Sequence, residues 1–140
     1  MRYRFILLIL SPLFSFSQAK NDSKIIVTVS DTSNLFNRVL LQLYENGYAL
    51  ENKDEVLKFA ATKEKNLGKG ATLLKVKVLV KDSTLTLTGL VGSYVQLIKT
   101  DSPVFIPVEY RGMKGSSIRI AWEEMLNISK QFGSGLGYSK

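Results

Sequence analysis

The stretch from Leu73 to Val91 constrains this chain more than any other, because it alternates twice with a two-residue break between. Leu74, Val76, Val78 and Val80 interleave with Lys75, Lys77, Leu79 and Lys81; after Asp82-Ser83, Thr84, Thr86 and Thr88 interleave with Leu85, Leu87 and Gly89. Side chains of a strand point alternately to opposite faces, so this pattern predicts an antiparallel hairpin with one apolar and one Lys/Thr face. A sheet with a single apolar face needs helices on that face.

Two helices are expected. Leu35, Phe36, Val39, Leu40, Leu43 and Tyr44 recur at spacings of three and four, after the candidate caps Ser30, Asp31 and Thr32 and before Asn46-Gly47, which predicts a helix over 33–46. A second, over 117–132, carries Ile118, Trp122, Met125, Ile128 or Ser129, and Phe132 on one stripe behind Ser116 or Ser117. Gly133, Gly135 and Gly137 then predict a flexible tail over 133–140. Lys24 to Val29 is β-branched and compact, as in a buried first strand. The segments 48–52 and 56–62 form a further hairpin across the polar turn Asn52-Lys53-Asp54-Glu55, and 63–70 is a turn containing Asn66, Gly68 and Gly70.

The expected fold class is therefore α+β, a five-stranded, mainly antiparallel sheet of order β-α-β-β-β-β-α with two helices on one face. Alternating strand direction lets the first strand pair with the fifth, giving the order 2-3-4-5-1. With no repeat, low-complexity tract or Pro/Ser-rich linker, residues 24–132 read as one domain.

Ahead of it, Arg2 and Arg4, the apolar run Phe5 to Leu10 and the small residues Ser17-Gln18-Ala19 have the order of a signal peptide over 1–19, cut after Ala19 or alternatively after Ser17. The apolar run is shorter than the ~20 residues that cross a bilayer, and Pro12 interrupts it, so no stable span remains after cleavage. The expected location is periplasmic or secreted. No Cys follows the signal to carry a lipid anchor.

Composition narrows the chemistry. The chain has no Cys and no His, which removes disulfides, thiol nucleophiles, Cys/His metal sites and imidazole acid/base schemes. Asp54-Glu55 and Glu123-Glu124 are adjacent carboxylates, but neighbours on a strand or helix point different ways and do not converge on one substrate atom or cation. Gly68-Lys69-Gly70 with Lys65 lacks the spacing of a Walker loop and enters a strand, so it reads as a hairpin turn. Asp101-Ser102 before Pro103 starts a turn. The expectation is a non-enzymatic protein without cofactor or metal. The net charge of +7 falls by the two charges of Arg2 and Arg4 to +5 on processing, and the lysines are dispersed, a solvated surface with no nucleic-acid partner.

The segment 94–114 is apolar and loop-like. Pro103 and Pro107 lack the N–H groups of a ladder, so Val104 to Val108 is expected as an edge strand or extended loop. Tyr94, Phe105, Ile106 and Tyr110 beside Arg111 and Lys114 are the residue types enriched at interfaces, and these six are the expected contacts to an envelope or secreted protein partner. Packing of this loop over an open sheet end is the competing expectation. A second functional reading is a carrier of a small apolar ligand or lipid, with walls at Phe36, Leu40, Val78, Leu87, Trp122 and Met125. Trp122 itself reads as a core anchor.

The run Gly47-Tyr48-Ala49-Leu50-Glu51, followed by Asp54 and by Thr62 to Gly70, resembles exported Gram-negative bacterial domains of unknown function with a TATA-box-binding-protein-like fold. The likeness covers about residues 25–89 and rests on element order and turn residues. It implies the α+β fold and export, not DNA binding, and supplies no catalytic residues. The proline-containing segment 94–114 departs from it.

Overall fold

A computed structural model describes residues 17–69, 71–93, 103–133 and 135–140. The expected signal peptide lies, as far as residue 16, outside the described residues.

The chain folds in the order β1 (Lys24–Thr28), α1 (Leu35–Glu45), β2 (Leu50–Asp54), β3 (Phe59–Thr62), β4 (Lys65–Asn66), β5 (Thr72–Lys81), β6 (Thr84–Ser93), β7 (Val104–Pro107), α2 (Ser117–Lys130) and β8 (Gly135–Ser139). All strand pairs are antiparallel. Among the described residues the sheet has eight strands where five were expected, in the order β2-β3-β5-β6-β1-β8, with β4 beside β5 and β7 beside β6. The five expected strands keep the expected order, and the extra three extend that frame.

The β5–β6 hairpin is the spine, in continuous register from Thr72 opposite Ser93 to Lys81 opposite Thr84. Register then sorts the two faces. Tyr138, Ile25, Leu87, Val78 and Ala60 form one row across five strands on the helix-covered face. The next row, Gly137, Ile26, Thr86, Leu79, Phe59 and Asp54, lies on the other face. Residues of the first kind are fully buried from Ile25 to Ala60, whereas Leu79 is 42 % exposed. The stripes of both helices (Leu35, Phe36, Val39 and Leu43; Ala121, Trp122, Met125 and Ile128) enter one apolar cluster with these strand residues, and Asn46 and Gln131 bond side chain to side chain at 3.0 Å where the helix ends meet.

The helix starts and stops differ from expectation for local reasons. Asp31 does not cap α1; its Oδ1 accepts the Ser33 N–H at 3.0 Å in the preceding turn, and the helix begins after Asn34, in left-handed backbone at φ 49°. The polar run 52–55 belongs largely to β2, and the turn falls at Glu55 to Lys58. Asp54 Oδ1 accepts both Val56 N–H and Leu57 N–H at 2.9 Å, and Lys58 takes φ 53°. The second helix stops at Lys130, short of Phe132.

The expected flexible tail is corrected by β8. Three glycines lower intrinsic strand preference, but β1 lies beside the end of the sheet with an open edge, and Leu136 and Tyr138 alternate with them on the apolar face. Pairing with β1 and burial of those two side chains override the local signal.

Candidate partner-binding surface

Strand β7 is built as the prolines require. It is four residues long, ends at Pro107 with Pro103 just ahead, and among the described residues pairs only with β6, through Leu90–Pro107, Val91–Ile106, Gly92–Phe105 and Ser93–Val104. It follows β1 along one edge of β6: residues 84–87 of β6 face β1 and residues 90–93 face β7. Among the described residues no strand covers its outer side.

The structure separates the six expected contact residues. Tyr94 lies outside the described residues. Phe105 and Ile106, adjacent in a strand, point to opposite faces. Phe105 turns to the open face and lies flat on Gly92, where an added Cβ would come within 2.8 Å of the ring; the Lys75 ammonium stands 4.9 Å from the ring centroid. Lys75 is itself held 3.8 Å from Glu64 and 4.0 Å from Glu51. Ile106 turns to the helix face, 43 % exposed, into a cleft of about 210 Å³ lined by Val91, Gly92, Val104, Ser117 and Ile118.

Tyr110 belongs to the folded body. Its N–H donates to Asp22 O at 2.7 Å and its carbonyl accepts from Asn21 N–H at 3.1 Å, tying the lead-in of β1 to the segment after β7. Its ring lies 5.7 Å from Trp122 on one side, and the Arg119 guanidinium sits 4.3 Å from its centroid. Beside it, Val108 is fully buried and fills the space that Gly89 leaves empty. Arg111 pairs with Glu109 at 2.9 Å, and Lys114 is exposed on a turn. The segment is thus divided: Val108 and Tyr110 pack onto the core, while among its described residues Val104 and Ile106 of β7, at 66 % and 43 % exposure, and Met113 on the turn beyond, at 84 %, present apolar side chains outward.

A polar cluster that the sequence reading did not single out lies elsewhere, between β4 and α2. Lys65 Nζ donates to Asn46 O at 2.6 Å, stands 3.6 Å from Glu124 Oε1 and lies 4.7 Å from the Tyr48 ring centroid. Tyr48 O–H donates to the same carboxylate at 3.4 Å. Burial, then the Glu124 charge beside it, holds the Tyr48 phenol well above the usual tyrosine range. The ammonium thus sits at the carbonyl end of α1, where the helix dipole favours a cation, and links that end to α2. The arrangement clamps two helices and a hairpin. Its signal in the sequence was the helix stop Asn46-Gly47, which leaves carbonyls in need of a donor.

The adjacent carboxylates diverge as expected. Asp54 closes its turn while Glu55 meets Lys53 at 2.9 Å; Glu123 faces Arg119 at 3.4 Å while Glu124 faces Lys65. Among the described residues, no three of the metal-ligating acidic types gather in one place. Gly68 N–H bonds Asn66 Oδ1 at 2.8 Å at φ 68°, a turn between β4 and β5, with Gly70 outside the described residues. No described helix is long and apolar enough to cross a membrane. No protein-family model matches the chain, and comparison with curated proteins finds no match.

Proposed function

We propose that this protein is an exported, non-enzymatic binding or envelope-assembly module that holds a protein partner along β7, in keeping with its resemblance to exported domains of the TATA-box-binding-protein-like fold. The observation that carries this reading is the exposed edge strand with Val104 and Ile106 turned outward beside an apolar cleft. An extended segment of the partner would add its backbone to the outer side of β7 and seat an apolar side chain against Ile106 and Ile118. Phe105 is the back support of this surface and Tyr110 its anchor to the core, so contact is concentrated on fewer residues than the sequence marks.

The ligand-carrier reading gains no comparable observation. Five of its six walls, Phe36, Val78, Leu87, Trp122 and Met125, are buried against one another in the core, and Leu40 packs onto that cluster.

The test is capture of envelope proteins by the wild-type chain and by Val104→Asp/Ile106→Asp, both checked for folding by circular dichroism. Both side chains are exposed, so the double variant folds. A partner retained by wild type and lost by the variant is the expected result. Equal capture by both rules out β7 as the contact.

A further inference from the structure

The sheet ends in two very different strands. At one end, β2 carries Glu51, Lys53 and Asp54 and a register irregularity between Leu50 and Asn52, features that discourage further pairing. At the other, β8 reads Gly-Leu-Gly-Tyr-Ser, without a charge between Gly135 and Ser139, regularly paired to β1 on its inner side. Among the described residues nothing pairs with its outer side. Beside it, Phe132, Gly133 and Leu136 line an open cleft with Lys130 and Gln131 at the end of α2.

We propose that β8 is a self-association edge: two copies pair antiparallel through Gly135–Ser139 about a two-fold axis at Gly137, joining their sheets into one. The strand is self-complementary about its centre. With Gly137 facing its own copy, Leu136 comes opposite the second copy's Tyr138 and Gly135 opposite its Ser139. The register with β1 places Leu136 and Tyr138 on the apolar face and the two glycines and Ser139 on the other. One face of the junction is therefore apolar, continuous with Phe132 on each copy, and the other has no bulky or charged side chain to obstruct approach. Such an isologous contact closes after two copies and consumes both open edges. A peptide from another protein would satisfy the same backbone groups, but would not require this symmetry of residues about Gly137.

The chain has no cysteine, so one introduced thiol reports the register. In Gly137→Cys the two thiols face each other across an antiparallel pair, whose Cα separation of about 4.5–5.5 Å suits a disulfide. In Ser139→Cys each thiol is displaced from its copy by about 13 Å along the strand, since the two positions lie four residue steps apart at ~3.3 Å each. An added Cβ at Gly137 meets nothing closer than 3.9 Å, so these variants leave the subunit fold unchanged. The expected results are twice the chain mass for wild type by sedimentation, monomer mass for Gly137→Glu with an unaltered circular dichroism spectrum, and oxidative cross-linking of Gly137→Cys but not Ser139→Cys. A monomeric wild type throughout a concentration series into the millimolar range overturns the proposal, as does equal cross-linking of the two cysteine variants or a Gly137→Glu dimer. None of these outcomes bears on capture at β7, so the two surfaces fail or stand separately.

Discussion

The two faces of the sheet are built from the same strands, yet only one is packed against the helices. On the covered face, Gly89 leaves a gap into which Met125, Val108 and Leu74 converge; a Cβ there would lie 2.6 Å from the Met125 sulfur. On the open face, Thr84, Thr86 and Thr88 lie opposite Lys81, Ile26 and Lys77, and farther along β6 the Phe105 ring covers Gly92. The covered face fixes which fold forms, and the open face carries the lysines and threonines of β5 and β6. Substitutions on the two faces should therefore differ several-fold in effect.

The largest difference is expected at Trp122. Its side chain is 1 % exposed between Tyr110 and Tyr138, and Trp122→Ala should lower stability by about 3–5 kcal/mol in urea denaturation, through lost burial and the cavity left behind. A loss below about 1 kcal/mol would mean that the covered face is loosely packed. Next comes Gly89→Val, which adds atoms where three neighbours already meet and should cost about 1–3 kcal/mol by the same measurement. Smallest is Leu79→Thr on the open face, expected to stay within about 0.5 kcal/mol of wild type, since the position is 42 % exposed and the strand tolerates either residue. A large loss at Leu79 would show that something covers the open face in solution.

What could be read in the sequence was whatever repeats with a period. Alternation located the β5–β6 hairpin, β-branched composition marked β1, alternating strand direction gave the order of the five expected strands, and the three-and-four spacing located both helices. Proline chemistry limited Val104 to Val108 to an edge strand or an extended loop, and the edge strand forms over Val104–Pro107, where strand geometry parts Phe105 from Ile106 although both were expected on one surface. The rest depended on partners distant in the chain. Nothing local marks 135–139 as a strand, because its glycines are outweighed only by the open edge of β1. Nothing near Tyr110 shows that Trp122, twelve residues on, and Asp22, far earlier, would bind it into the body. The short strand β4 is likewise a consequence of β5, whose Leu73 and Leu74 provide its register.

The placement of Trp122 also makes the protein its own spectrometer. The only indole in the chain is buried with one phenol ring at 5.7 Å from the segment after β7 and another at 6.1 Å from β8. Light absorbed by either tyrosine passes to the same emitter, and local opening of either segment admits water to it. One emission band thus monitors both attachments to the central sheet, and exchanging Tyr110 or Tyr138 for Phe in turn tells which of them has moved.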